Sequence, residues 1–228
     1  MSLEHEILDR LCEYLSRSLR VGGLKLAAAS GDGRVDSQAS EQEISKSLLN
    51  YAQANDWFSQ THGLSIEIAP ARHWYDFCVR GPDFFLPVNV KVSVCKSSDN
   101  LSSKEGVFFA LTGVDPKAVT INTWERFCER LAEYRGRDPR ADYYFLVVHK
   151  ERQNEVFWTS LKSIGQLDPN GNNPPFHCHW GKNRERVSRS TQEAEGYILG
   201  VLGETFRLRA EAWRSFRKAF HAQTVEDQ

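Results

Sequence analysis

The run Pro87-Val88-Asn89-Val90-Lys91-Val92-Ser93-Val94 places valine at every second position. That is the period of a β-strand, whose successive side chains point to opposite faces. Val88, Val90, Val92 and Val94 therefore face a core, while Asn89, Lys91 and Ser93 share the other face. That second face is either solvated, as in many sheets with one wet side, or a set of polar groups gathered for chemistry. Either way, the chain builds a sheet on this strand.

Upstream, Arg80-Gly81-Pro82-Asp83 reads as a turn between two strand-like runs. If it closes a hairpin, residues pair where their numbers sum to roughly 164 to 166. Asp76 then lies opposite Asn89, with Lys91 one step further along the same face and Tyr75, Phe77 and Val79 turned toward the core. Directly opposed side chains have Cβ atoms about 4.5 to 5.5 Å apart. A carboxylate and an amide oxygen at that spacing can hold Mg²⁺, a hard cation that prefers oxygen ligands and keeps several waters. A lysine beside them can position a water and stabilise charge building on a phosphate.

Helical spacing of Ile7, Leu8, Leu11, Leu15 and Leu19 opens the chain with an amphipathic helix over Glu4 to Leu19. A Gly/Ser/Asp-rich connection (28–40) leads to a second helix over Glu41 to Phe58. Strand, strand, turn and strand follow, and the apolar run VFFALTG then precedes a helix over Trp124 to Tyr134. DYYFLVVHK and EVFWTSL form a second hairpin that turns at Arg152 to Asn154. LDPNGNNPPF is a loop by composition, and Thr191 to Ala222 is mostly helical. This order predicts one α/β (α+β) domain over 1–228, a central mixed β-sheet flanked by helices. Its catalytic core would occupy about 40–160, with a recognition loop and C-terminal helices over about 161–228.

Charge narrows the function classes. The net charge of -1 and pI near 6.7 show no overall surplus for gripping phosphates. Between Gly181 and Phe220, however, nine basic residues face five acidic ones. The five cysteines are odd in number and lack CxxC spacing, which argues against a disulfide framework or a zinc knuckle. A charged N-terminus and the lack of a long apolar run predict a soluble intracellular protein with no membrane association.

Asp76 before a hairpin, with Asn89-Val90-Lys91 on the returning strand, resembles the PD-(D/E)XK motif of type II restriction endonucleases. HWYDFCV, FLPVNVKVSVCKSSDNLSSKEGVFFALTG and YYFLVVHK resemble a group of these enzymes whose returning strand carries N-x-K. The likeness is clearest from Arg72 to Gly113 and extends more weakly to Arg186. It implies a restriction-endonuclease-like fold, Mg²⁺ as cofactor, cleavage of double-stranded DNA at a palindromic site, a homodimer, and the bacterial cytoplasm. Two positions depart from the pattern. Tyr75 replaces a proline that carries no chemistry, and Asn89 replaces an acidic ligand, which removes a negative charge from the metal site. Pro82-Asp83 matches the motif literally but lies in the turn, far from Lys91.

Many members of the family supply a further glutamate from the second helix, and Ser40-Glu41-Gln42-Glu43 offers two. Ser40 and Glu43 make a capping box, whereas Glu41 falls in line with Ile44, Leu48 and Ala52 on the inward face. Glu41 is therefore the first choice and Glu43 the second. The expected catalytic set is Asp76, Asn89, Lys91 and Glu41, with Asp76, Asn89 and Glu41 on the metal. Asp99 is a further candidate ligand, or else a turn or cap residue.

Asn170, Asn172 and Asn173, followed by Lys182 and Arg184, read either as a solvated connection or as a DNA-recognition segment. Asn can read adenine and Arg can read guanine, and the resemblance tips the reading toward recognition. His177 and His179 share a face but lack companion ligands for zinc, and His73 is a candidate phosphate contact or a packed histidine. Trp213, Phe216 and Phe220 form a helical stripe suited to core packing or to a dimer interface. Two other functions remain open: a DNA-binding module that has lost catalysis, which Asn89 would explain, and a repair nuclease acting on branched or damaged DNA.

Overall fold

The computed structural model describes residues 2–26, 33–101, 103–152 and 154–220. Helix α1 (Leu3–Arg20) begins where the Ser2 side chain accepts a hydrogen bond from the backbone N–H of His5. Glu4 and Glu6 lie in its first turn and Arg17 and Arg20 in its last, each sign placed where the helix dipole favours it. Helix α2 spans Gly33–Gln53. It begins earlier than the composition of 28–40 predicts, and 28–32 lie outside the described residues. Ser40 is consequently inside the helix rather than at its N-cap, so the capping-box explanation of Glu43 is withdrawn.

Strands β1 (Ser65–Ile68), β2 (Phe77–Gly81), β3 (Phe84–Ser93), β5 (Tyr144–His149) and β6 (Val156–Ser160) form one sheet in the order β1-β2-β3-β5-β6. The β3–β5 pair is parallel and the other pairs are antiparallel, so the sheet is mixed. Between β3 and β5 the chain makes β4 (Asp99–Leu101), α3 (Lys104–Thr112) and α4 (Trp124–Tyr134). The VFFALTG run forms most of α3, which ends at Gly113 with φ +71°, a left-handed stop that glycine adopts readily.

Each face of the sheet carries a core. Val88, Val90, Phe77, Val79, Leu146 and Val148 pack against Ile7, Leu8 and Leu11 of α1 and Ile44 and Leu48 of α2. On the opposite face, Phe145 and Val147 join Val107 and Phe108 of α3, Phe127 of α4 and Ile198 of α5 (Thr191–Phe220). Full burial of such side chains is worth about 1.5–3 kcal/mol each, so the layers hold β3 and β5 from both sides. Asn89 and Lys91 pair in register with Phe145 and Val147 and are half-buried. The polar face of β3 is thus not a wet face.

LDPNGNNPPF is more than a connecting loop. It contributes β7 (Asp168–Pro169) and leads into β8 (Phe176–Cys178), and both join β4 in a three-stranded sheet ordered β4-β8-β7. Trp213, Phe216 and Phe220 do not pack in the core. They are 59%, 54% and 45% exposed on the last turns of α5, whose buried residues lie in its first half. Among the described residues, no helix is long and apolar enough to cross a membrane.

Candidate active site

Strands β2 and β3 pair Phe77 with Val88 and Gly81 with Phe84, the register expected of the hairpin. Continued one residue, it sets Asp76 opposite Asn89. There the strands separate. Asp76 still donates its N–H to the Val88 carbonyl at 2.9 Å, but its carbonyl accepts from Ala69 N–H at 2.9 Å. The N–H of Val90 goes instead to Asp76 Oδ2, at 2.7 Å. The aspartate carboxylate is thereby fixed in the gap between two central strands.

Lys91 and Glu41 complete the cluster. Burial pushes Glu41 up to about 7, with Lys91 pulling it down and the Asp76 charge pushing it further up. Burial also raises Asp76, against the lowering effects of the Val90 N–H and Lys91. A residue on α2, one before β2 and one on β3 are therefore within electrostatic reach of one another. Glu43, by contrast, is exposed and pairs with Lys46 at 2.8 Å, which leaves Glu41 as the helix carboxylate at the site.

Asn89 lies against the Tyr143 hydroxyl, and its Oδ1 is buried with no hydrogen-bond donor. An orphaned buried acceptor is costly unless a ligand satisfies it. Tyr143 Oη donates to the Trp74 carbonyl at 2.5 Å, and Ser103 Oγ donates to the same carbonyl at 3.3 Å. These bonds tie the segment before Asp76 to the opposite face of the sheet. Two carboxylates and one amide oxygen are hard donors of the type Mg²⁺ prefers. Among the described residues, no group of three or more His, Cys, Asp or Glu is placed to hold a metal. The third donor here is an amide, so the fit is to a hard cation with much of its water retained.

The cluster opens on two cavities. One of about 570 Å³ includes Asn89, Lys91, Trp74 and Tyr143 in its lining. A smaller one of about 230 Å³ includes Glu41, Asp76 and Ser45. His73 lines both, with its Nδ1 unpartnered and its ring 4.2 Å from that of Tyr75.

Other expected site residues have different surroundings. Tyr75 does not enter the α1/α2 core with Phe77 and Val79, because regular strand alternation starts only at Phe77. Its ring packs on Trp74 and Phe85, at 4.8 and 5.7 Å. Asp83 is exposed in the β2–β3 turn. Asp99 Oδ2 accepts from Ser93 Oγ at 2.6 Å, tying β4 to the end of β3. Asn170 is not free to read a base. It is 3% exposed, and its amide donates to Asn100 Oδ1 and accepts from the Asn173 N–H, which makes it the brace of its own loop. Asn172, Asn173 and Lys182 are exposed, and Arg184 pairs with Glu155 at 2.7 Å. His177 and His179 flank the buried Cys178 on and beside β8.

Sequence reasoning missed Tyr143. A tyrosine at the start of an apolar strand reads as core, and only the tertiary structure brings its hydroxyl to Trp74 and Asn89. No protein-family model matches the chain, and no curated protein sequence matches it.

Proposed function

We propose that this chain is a Mg²⁺-dependent type II restriction endonuclease with a restriction-endonuclease-like fold, hydrolysing phosphodiester bonds at a specific site in double-stranded DNA. The observation that carries this reading is the convergence of Asp76, Glu41 and Lys91, with the orphaned Asn89 Oδ1, where β2 and β3 separate. Asp76, Asn89 and Glu41 are the residues that would hold the cation. When bound, such a cation supplies Lewis-acid polarisation of the phosphate and eases deprotonation of water.

The chain's own groups do the remainder. Lys91 has its ammonium beside two carboxylates on a rigid central strand. It orients the attacking water by donating a hydrogen bond and offsets the negative charge that develops on the phosphate. In-line attack by water forms the new P–O bond and breaks the P–O3′ bond, leaving a 5′-phosphate. The two-sided packing of β3 and β5 holds the lysine and asparagine in place, and fixed geometry of this sort supplies much of the rate of phosphoryl transfer.

Asn89 favours one competing reading, a DNA-binding module on a nuclease fold whose catalysis has lapsed. An amide contributes no charge to the cation. Against it stands the retention of an aspartate and a lysine in working register.

DNA contacts are assigned to the exposed Asn172, Asn173 and Lys182, and a homodimer to the exposed aromatic stripe of α5. The deciding experiment is digestion of phage and plasmid DNA by purified protein in Mg²⁺ and in EDTA, beside Asp76→Ala. Discrete Mg²⁺-dependent fragments that the variant does not make are expected. Intact DNA with wild type, together with cutting by Asn89→Asp, would favour the lapsed-nuclease reading.

A further inference from the structure

The segment between β1 and β2 contains a turn in which His73 N–H donates to the Pro70 carbonyl at 3.1 Å. Its third residue, Arg72, has φ +63°. Positive φ at that position favours glycine or asparagine, because a β-carbon crowds the backbone. The chain nevertheless keeps an arginine there. Strained positions of this kind persist where the surrounding structure holds them, and they cluster at functional sites.

Among the described residues, nothing accounts for that side chain. Arg72 is exposed, and among the described residues its guanidinium has no ion pair, hydrogen bond or ring contact. Arginines such as Arg17, Arg80 and Arg126 pair with carboxylates instead. Arg72 shares with His73 a place at both cavities. It lines both the cavity that contains Asn89 and Lys91 and the cavity that contains Glu41 and Asp76. Exposed Lys117 adds a third cation, beside Arg72 and Lys91, to the lining of the larger cavity.

We propose that Arg72 binds a backbone phosphate of the DNA strand being cut, next to the phosphate at Lys91, and so positions that strand across the two cavities. The proposal rests on the endonuclease reading and adds to it a positioning residue outside the motif. A planar guanidinium can engage two phosphate oxygens at once. The turn holds its backbone at the boundary between the cavities, where a strand passing from one to the other must cross.

The test compares wild type with Arg72→Gly and Arg72→Ala. Binding to a linear mixed-sequence duplex is measured in Ca²⁺ at several NaCl concentrations, cleavage of phage DNA is measured in Mg²⁺, and melting temperatures are taken without DNA. The expected result is at least tenfold weaker binding by both variants. The slope of log K against log[NaCl] should also be shallower by about 0.9, the loss of one phosphate contact. Arg72→Gly should melt at or above the wild-type temperature because it relieves the turn. Unchanged affinity and slope in variants of a wild type that cuts would overturn the role of Arg72 and leave the endonuclease reading standing. A lowered melting temperature in both variants would show the side chain to be structural and would also overturn it. A wild type that neither binds nor cuts DNA would overturn both readings.

Discussion

Val90 donates its backbone N–H to Asp76 Oδ2 at 2.7 Å, so one carboxylate bridges the gap between β2 and β3 in a residue that lines a cavity with Glu41. Asp76→Ala leaves that N–H without its acceptor, at a cost of about 1–3 kcal/mol, and on the proposed endonuclease function it is expected to abolish cutting. Asp76→Asn keeps an acceptor but not the charge. It is expected to lose less than about 1 kcal/mol in stability and at least a hundredfold in cleavage. Paired denaturant titrations and plasmid digestions separate the two effects, and full activity in either variant would contradict the assignment.

Glu41 gives a pH signature. Its carboxyl is raised to about 7 by burial, above its unfolded value, so folding favours the protonated form. Its stabilising contribution is complete below the unfolded pKa and is lost as pH rises through about 7. Without divalent cations, Glu41→Gln should therefore be more stable than wild type at pH 8 by about 1–3 kcal/mol and nearly equal to it at pH 4. If Glu41 holds Mg²⁺ as proposed, binding requires its ionised carboxylate, and Mg²⁺ should raise the wild-type melting temperature more at pH 8 than at pH 6. Parallel pH–stability curves for the two proteins would contradict this.

Asn89→Asp supplies the missing charge. Mg²⁺ affinity, followed by tryptophan fluorescence or calorimetry, should rise at least tenfold. Without the cation, the added buried carboxylate should cost about 1–3 kcal/mol. No change in affinity would remove Asn89 from the metal set.

Tyr143→Phe removes the hydroxyl that holds the Trp74 carbonyl. A stability loss of about 1–2 kcal/mol is expected, with cleavage reduced about tenfold by the looser approach to Asp76. A variant that lost stability but kept full activity would make that bond purely structural.

The aromatic stripe of α5 makes a contrasting prediction. Because Trp213, Phe216 and Phe220 are exposed, serine at all three should change monomer stability by less than about 0.5 kcal/mol per site. If the stripe is the dimer interface, sedimentation should show wild type as a dimer and the variant as a monomer. A wild-type monomer would exclude it.

What could be read from the sequence was local. The alternation of Val88 to Val94 and the Arg80–Asp83 turn determined the β2–β3 register, because a period of two and a short turn leave one pairing that buries Val88 and Val90, although β3 ends at Ser93 and Val92 and Val94 are only half-buried. That register in turn set Asp76 opposite Asn89. The periodicity of α1 and the bounds of α4 were legible for the same reason. Composition misled over 33–40, where glycine, serine and aspartate lie in a helix anchored by the packing of Ile44 and Leu48. It misled again at Asn170, a turn former that the fold buries to brace a small sheet.

The tertiary structure alone decided the non-local arrangements. The parallel β3–β5 pairing sets Asn89 and Lys91 beside Phe145 and Val147, and the α3, α4 and α5 side chains packed on that face leave them half-buried rather than exposed. The packing of α2 brings Glu41, already the first choice from its helical phase, within reach of Asp76 and Lys91, and the Tyr143 hydroxyl reaches the Trp74 carbonyl. The physical reason is that periodicity specifies which face a side chain takes within its own element. What that face meets depends on contacts between segments distant in the chain, set by the burial of both cores together.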